Sequence, residues 1–171
     1  MSVHVRLLRP DESPRYVALR QRMIADSPWA FAASPDDATL DAVQVATLLE
    51  TKENIVIIAE VANDLVGCVG VVRERAQKFS HRSRVWGFFV EPAHRGQGIG
   101  KALLRQAIRM ARSWPGVDYV DLAVSENSPE AYALYKSVGF RAWGREPEST
   151  ELDGKRYDEI YMSLALRRTK A

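Results

Sequence analysis

The chain has 171 residues, of which 46% are hydrophobic and 27% are charged, and its formal net charge is +2. A chain of this length fits one domain, residues 1–171, and so small a basic excess argues against nucleic acid as the main partner. No apolar run is long enough for a membrane span and no signal-peptide pattern is present, so we expect a cytoplasmic protein that does not bind membranes.

The first half of the chain is predicted to form strands and helices joined by polar turns. Alternating apolar residues predict a strand over Val3–Leu7, and the cluster at residues 11–14 predicts a helix that runs to about Asp26. The elements expected after it are an irregular loop at 27–37, a helix at 40–50, a buried strand at 55–61, a tight turn at 63–64, a strand at 65–73 and a basic turn at 73–84.

The centre of the chain is organised around a glycine-rich turn. The apolar run at 85–90 predicts a buried strand, and apolar residues recur at helical spacing from Ile99 onward. Between them Gly96, Gly98 and Gly100 let the chain bend sharply and remove side chains that would keep a ligand from the backbone. The unpaired N–H groups of the helix's first turn, together with its dipole, then attract an anion such as phosphate.

Two common phosphate-binding loops do not match this turn. A P-loop needs four residues between its first glycine and Gly-Lys-Ser/Thr, whereas three separate Gly96 from Gly100, and no hydroxyl residue follows Lys101. A dinucleotide-binding turn needs a third glycine where this chain has Lys101. What remains is Arg-x-x-Gly-x-Gly, carried by Arg95, Gly98 and Gly100, which resembles the acetyl-coenzyme A (acetyl-CoA) pyrophosphate loop of the GNAT acetyltransferase superfamily.

The last third of the chain carries a second motif of the same family. The elements expected here are a strand at 119–124, a helix with a capped start at 127–129 that ends at Gly139, and two strands joined near 152–155, the second at 157–166. From Ala131 the chain reads Ala-x-x-Leu-Tyr-x-x-x-Gly-Phe, which is also similar to that family. The order β-α-α-β-β-β-α-β-α-β-β matches the GNAT fold, an α/β (α+β) fold with a mixed, twisted sheet of about six to seven strands and helices on both faces.

The resemblance implies an acetyl-CoA-dependent N-acetyltransferase that acetylates a primary amine directly. Pantetheine would lie where the strand ending at Val90 separates from the strand ending near 124, held by main-chain groups of Phe88 and Val90. Tyr135 matches the family's general acid, whereas helix geometry alone predicts that it packs the helix on the sheet. The implied catalytic residues are Tyr135 and the Val90 N–H as oxyanion donor. The implied cofactor-binding residues are Phe88, Val90, Arg95, Gly96, Gln97, Gly98, Ile99, Gly100, Lys101, Asn127, Ser128 and Tyr135.

Two positions depart from the family pattern. The asparagine that commonly opens the second motif's helix falls on Ser128, and Asn127 stands one residue early, so either residue could contact the cofactor or cap the helix. The glutamate that many relatives carry on the central strand as a base is missing. Glu126, Glu74 and His81 are alternatives, each also explained as a surface residue, and a water chain is an equal alternative.

The acceptor side is predicted from the loop at 27–37 and the last hairpin. Trp29 and Phe31 would form an aromatic wall, and acidic residues such as Asp36 and Asp37 would suit a cationic amine, although a solvated face explains them too. The basic run within 73–84 could attract the outer phosphate of coenzyme A, or simply form an exposed turn. The acceptor is expected to be a small-molecule amine in a closed pocket or a peptide or protein amine in an open groove.

Three further expectations concern other functions and partners. Because the strand glutamate is missing, a non-catalytic acyl-CoA-binding regulatory module of the same fold is the alternative function. The alternating last strand would pair across a homodimer or form an ordinary sheet edge. Cys68 is expected in the core and cannot form an internal disulfide, and the three histidines share no metal-ligand spacing, so we expect no metal.

Overall fold

The computed structural model describes residues 2–32 and 41–166. The strands are β1 (Val3–Leu7), β2 (Asn54–Val61), β3 (Asp64–Arg73), β4 (Arg82–Val90), β5 (Tyr119–Ser125), β6 (Arg141–Leu152) and β7 (Lys155–Ala165). The helices are α1 (Ser13–Asp26), α2 (Ala42–Leu49), α3 (Ile99–Ser113) and α4 (Pro129–Ser137). The seven strands form one sheet in the order β1-β2-β3-β4-β5-β7-β6, in which β4 and β5 are the one parallel pair among the described strands. The mixed sheet and the element order confirm the predicted fold.

Helices cover the sheet on both faces. On one face α3 and α4 pack in a cluster that includes Leu103 and Ala107, with strand residues from β2 to β5 and from β7. Both residues are fully buried, and burying a side chain such as Leu103 stabilises the fold by about 1.5–3 kcal/mol. On the other face α1 and α2 pack through residues such as Tyr16 and Leu19, with strand residues from β2, β3 and β4. The layer of α1 and α2 is therefore centred on β2, β3 and β4.

Strands β4 and β5 begin as a pair and then separate. They are in register from Arg82 opposite Tyr119 to Arg84 opposite Asp121, and the pairing stops there. Arg82 fastens this end, because its Nε and Nη2 each donate to a carboxylate oxygen of Asp121 at 2.6 Å. Beyond that point the facing edges of the two strands have no ladder partners in each other. A gap is thus built into the middle of the sheet.

A β-bulge at Gly87 inverts the phase of the β4 side chains. Two residues of β4, Gly87 and Phe88, stand opposite Val69 alone. Gly87 adopts φ +57°, a conformation that a residue without a Cβ takes without strain. As a result Val85 and Phe88, three residues apart, both contact the α3 and α4 cluster, and so does Val90. The bulge therefore turns the end of β4 toward those helices.

Two predicted turns are wrong in their limits. The basic turn at 73–84 is shorter, because Arg82 and Arg84 lie in β4, where Arg82 pairs with Asp121 on β5. The tight turn consists of Ala62 and Asn63, which have φ of 48° and 71°, so that β3 already begins at residue 64. This shift satisfies the requirement of a two-residue hairpin turn for positive φ at both positions.

The last strand is not an edge of the sheet. Strand β7 lies between β5 and β6, with Val124 opposite Ile160 on one side and Arg145 opposite Ile160 on the other. The prediction that this strand pairs across a homodimer or forms an edge is therefore wrong, since both of its sides are already paired. Strand β6 is the edge strand at this end of the sheet. Homodimer formation stays a prediction.

Two smaller features complete the fold. Cys68 is fully buried, which confirms its predicted place in the core, and burial raises the pKa of its thiol to about 12. Arg6 on β1 donates to both carboxylate oxygens of Glu12 at 2.6 and 2.7 Å and ties β1 to the start of α1. No helix in the described ranges is long and apolar enough to cross a membrane.

Candidate active site

The glycine-rich turn presents a row of free backbone amides. Within the described residues the six N–H groups from Gly96 to Lys101 make no hydrogen bond, and the helical ladder begins with the Ala102 N–H donating to the Gly98 carbonyl at 3.0 Å. Residues 96–98 are exposed. Unpaired amides at a helix N-terminus attract anions through their dipoles and the helix dipole. The turn has the donors that a diphosphate group needs.

The three glycines of this turn serve two different purposes. Gly96 and Gly98 have φ of +74° and +81°, and nothing lies within 4 Å of where a Cβ would stand. Gly100 is helical, and a Cβ there would lie 3.0 Å from Phe88 Cζ and 3.1 Å from Leu134 Cδ2. The first two glycines shape the turn, and Gly100 lets α3 pack closely against β4 and α4.

The side chains around the turn are engaged with the protein. Arg95 donates from Nε to the Val90 carbonyl at 2.9 Å and from Nη2 to Asp26 at 2.5 Å. Although burial opposes it, hydrogen bonds that include the one from Arg95 lower the pKa of Asp26. Gln97 donates to the Ala93 carbonyl at 3.2 Å. The structure gives the Arg95 side chain a positioning role between β4 and α1, and a phosphate contact from it stays a prediction.

The Val90 amide faces the gap between β4 and β5. The Glu91 N–H donates to the carbonyl of Val66 on β3 at 2.8 Å, so the backbone groups of Glu91 point toward β3. In an antiparallel ladder the backbone groups of the adjacent residue on the same strand, here Val90, point to the opposite side. The N–H of Val90 is therefore directed away from β3, to the side where β5 has separated. An extended ligand in the gap would find an open strand edge.

Tyr135 lies next to this edge, where its ring packs as helix geometry predicted. Its ring packs edge-on against Phe88, with centroids 5.6 Å apart, and against Phe140 at 5.9 Å. The residue is 5% exposed, and burial raises the pKa of its hydroxyl above the usual value. Packing accounts for the position of the ring, the hydroxyl makes no hydrogen bond within the described residues, and its role as a proton donor stays a prediction.

The start of α4 differs from the capped start that was predicted. Ser128 occupies the N-cap position, but its hydroxyl makes no capping hydrogen bond. The Asn127 backbone N–H donates to Ser125 Oγ at 3.3 Å, and its side chain is exposed. The prediction of a side-chain cap is wrong, because the backbone reaches helical geometry through the Ser128 N–H bond to the Ser125 carbonyl instead. Contact of Asn127 or Ser128 with the cofactor stays a prediction.

None of the three predicted substitutes for the missing base has a free group at the gap. Glu126 binds Arg145 at 2.6 Å and accepts the Asp158 N–H at 3.0 Å. Glu74 and His81 lie at the start of β4, at the opposite end of that strand from Val90. The basic run lies at that far end as well, and its arginines are paired with acids in the ion pairs Arg73–Glu53, Arg75–Glu53, Arg82–Asp121 and Arg84–Glu74.

A carboxylate pair that sequence reasoning missed lies beside the end of β5. Ser149 Oγ joins Glu146 and Glu159 at 3.2 and 3.0 Å, and Glu159 stands opposite Ser125 in the ladder. The Tyr161 hydroxyl donates to Glu146, which raises the pKa of that tyrosine to about 12. Glu159 and Tyr161 alternate in β7 with apolar residues that pack against α3 and α4, so they face the other side of the sheet. This alternation of polar and apolar residues in β7 is visible in the sequence and could have indicated that Glu159 and Tyr161 share one face of the sheet.

The described part of the predicted acceptor loop lies over the same region. The turn Pro28–Ala30 contacts β5 and β6. Trp29 Nε1 is buried without a hydrogen-bond partner, and Phe31 packs against the cluster of α1 and α2. These contacts place the described part of the loop beside β5 and β6, and its role in binding the acceptor stays a prediction. Asp36 and Asp37 lie outside the described residues.

The free amides and the open edge of β4 fit the two parts of a coenzyme A molecule. Its diphosphate needs several N–H donors, which residues 96–101 provide. Its amide-containing pantetheine arm can pair with a strand edge, which Phe88 and Val90 provide beside Tyr135.

Comparison with known proteins identifies the family. A model described as the acetyltransferase (GNAT) family matches residues 16–140. N-alpha-acetyltransferase RimI of Mycobacterium tuberculosis is 33% identical over 125 residues, which cover 72% of this chain and 68% of that protein. L-amino acid N-acetyltransferase AaaT of Escherichia coli is 27% identical over 107 residues, or 63% of this chain, and the match spans 65% of that protein, just under two thirds.

A solved structure extends the likeness to the whole fold. The structure of yncA from Salmonella typhimurium with its cofactor acetyl-CoA superposes on this chain with a TM-score of 0.81 at 20% identity, covering 100% of this chain and 98% of that one. At that identity the structure supports the fold, and the family rests on the sequence matches. The chain belongs to the acetyltransferase (GNAT) family and is an N-acetyltransferase that uses acetyl-CoA.

Proposed function

We propose that the protein transfers the acetyl group of acetyl-CoA directly to a primary amine of a small molecule or of a peptide. The observation that carries this proposal is the open edge of β4, where the Val90 N–H faces the gap between β4 and β5 beside Tyr135. The amide row at residues 96–101 lies at the end of the same strand. One surface therefore offers an anion site, a strand edge and a proton donor in sequence.

Each part has a defined task in the proposed reaction. Acetyl-CoA, when bound, supplies an acetyl group activated as a thioester. The amides of residues 96–101 hold the diphosphate, and main-chain groups of Phe88 and Val90 hold the pantetheine arm. The Val90 N–H donates to the carbonyl oxygen, where negative charge develops. Tyr135 donates its proton to the leaving sulfur as the bond between that sulfur and the acetyl carbon breaks.

The acceptor must lose its proton before it can attack. An alkylamine of pKa near 10.4 is mostly protonated at pH 7, so a base or a water chain is useful. The carboxylates of Glu146 and Glu159 supply negative charge at the end of β5, on the face of the sheet opposite α3 and α4. We propose that they attract the cationic amine and that water carries its proton away from the gap.

Two observations support an α-amine as the acceptor group and the cytoplasm as the compartment. The relatives named above are an N-alpha-acetyltransferase and an L-amino acid N-acetyltransferase. The one cysteine is an unpaired, buried thiol, which suits a reducing compartment.

The regulatory alternative is based on the missing strand glutamate, whereas the positions of Tyr135 and Val90 favour catalysis.

Titration and product detection together test this proposal. Isothermal titration should show binding of acetyl-CoA and none of ATP, and mass detection should show an added acetyl group on members of an amine and peptide library. Binding of ATP without binding of acetyl-CoA would refute the cofactor assignment. Tight acetyl-CoA binding with every amine left unmodified would instead favour the regulatory module.

A further inference from the structure

Arg20 on α1 is a buried cation without a counterion among the described residues. It is 9% exposed, and its Nε is fully buried with no hydrogen-bond partner. Two other arginines of the same helix are more exposed and paired: Arg15 with Glu12 at 3.0 Å and Arg22 with Glu91 at 2.5 Å. A charge that is buried without a partner destabilises a fold. We therefore look for a role of the Arg20 charge in binding rather than in packing.

A second unsatisfied polar group lies beside this arginine. The Tyr16 hydroxyl is buried and has no hydrogen-bond partner. The Arg20 guanidinium carbon lies over the Tyr16 ring, 6.0 Å from its centre, and the arginine lowers the pKa of the Tyr16 hydroxyl while burial, the larger effect, raises it. The Arg20 Nε and the Tyr16 hydroxyl thus lie close together, and neither has a hydrogen-bond partner among the described residues. An acceptor from outside the described residues would satisfy both.

These donors lie on the acceptor side of the bulge in β4. A Cβ built on Gly87 would lie 4.0 Å from the Tyr16 hydroxyl, so that hydroxyl reaches the point where β4 bulges, three residues before Val90. Helix α1 lies on the face of the sheet opposite α3 and α4, as do Glu146 and Glu159. An acceptor that entered from this face would meet the carboxylate pair and the arginine on one side of the sheet.

We infer that Arg20 and Tyr16 form an anion subsite for the acceptor, so that the preferred acceptors carry a carboxylate together with the amine. The inference rests on the proposed acetyl transfer and deepens it by naming the substrate class. A guanidinium matches the planar geometry of a carboxylate and gains charge-assisted hydrogen bonds from it. The Tyr16 hydroxyl donates a further bond. A free amino acid carries both an ammonium and a carboxylate group. A simple amine or an amino acid amide lacks the carboxylate.

The test compares matched acceptors in three proteins. Amino acids and the corresponding amino acid amides are assayed by mass detection with wild type, Arg20→Met and Arg15→Met. Wild type should prefer the free acids. R20M should raise their KM by about 10- to 100-fold, the factor expected for loss of a charge-assisted hydrogen bond, and leave the amides unchanged. Arg15→Met, which removes a surface arginine from the same helix, should change neither KM.

The outcomes separate this inference from the proposal on which it rests. If acetyl-CoA does not bind and no amine is modified, the proposed function itself fails. If amines are acetylated but wild type does not favour acids over amides, or R20M raises both KM values equally, the subsite is refuted while acetyl transfer stands. Arg20→Lys, which keeps the charge, should restore part of the preference for acids, and a merely structural role predicts no such rescue. Circular dichroism of each variant confirms that it folds.

Discussion

The replacement of Gly70 by alanine is expected to destabilise the protein and to disturb the gap through a single neighbour. Gly70 stands opposite Trp86 in the ladder between β3 and β4, and the indole covers the position of the missing side chain. A Cβ on residue 70 would lie 2.0 Å from Trp86 Cε2 and 2.4 Å from Cδ2. Carbon atoms in ordinary contact are about 3.5–4.0 Å apart, so the ring must retreat by about 1.5 Å.

The size of the effect follows from this displacement. Overpacking of a core costs about 1–3 kcal/mol, and alanine recovers about 0.5–1 kcal/mol of backbone entropy relative to glycine. We therefore expect Gly70→Ala to lower the free energy of unfolding by about 1–2 kcal/mol, which corresponds to a fall in Tm of about 2–8 °C for a chain of this size. Because Trp86 immediately precedes the bulge at Gly87, kcat/KM for acetyl transfer should fall as well.

Urea unfolding of wild type and four variants checks this reasoning. Gly144→Ala is the matched control, because its Cβ would find Tyr161 Cβ at 3.9 Å, an ordinary contact, in another strand. The double variant Gly70→Ala/Trp86→Leu, compared with Trp86→Leu alone, removes the ring that causes the collision. G70A should cost less in that background. An equal cost in both backgrounds, or a cost no larger than that of G144A, would show that the indole is not responsible.

Three further predictions concern the turn, the proton donor and acid stability. Gly98→Ala forces a side chain into φ +81°, so it should lower the free energy of unfolding by about 1–2 kcal/mol. Titration should show acetyl-CoA binding weakened about tenfold. An unchanged affinity would show that the amides of residues 96–101 do not bind the cofactor. Tyr135→Phe should lower kcat by about 10²- to 10⁴-fold with little change in Tm, because the hydroxyl has no partner within the described residues; an unchanged kcat would leave only the packing role. The hydrogen bond from Arg6 lowers the pKa of Glu12 from 4.5 to about 2, so its contribution to stability is present above pH 4.5 and is lost as the pH falls toward 2. Urea midpoints between pH 7 and pH 3 should show this loss in wild type and a smaller one in Glu12→Gln, and equal losses would contradict it.

Local sequence patterns determined most of the secondary structure. The apolar spacing after Ile99 fixed the buried face of α3, and the Asp153-Gly154 pair predicted a turn in which both residues have positive φ, at 50° and 74°. These features depend on neighbours a few residues away, so a sequence is enough to predict them. The glycine-rich turn was predicted for the same reason, because its amides belong to one short segment.

Only the tertiary structure decided which distant residues meet. The amino-acid order does not reveal that β7 inserts between β5 and β6, that β4 and β5 separate after three paired residues, or that the bulge at Gly87 inverts the phase of β4. The free orientation of the Val90 N–H and the unpaired state of Arg20 follow from those contacts. Strand order and burial depend on long-range packing, which a local pattern does not encode. The sequence determined which reactive groups are present, and the separation of β4 from β5 in the folded sheet determined that they lie together.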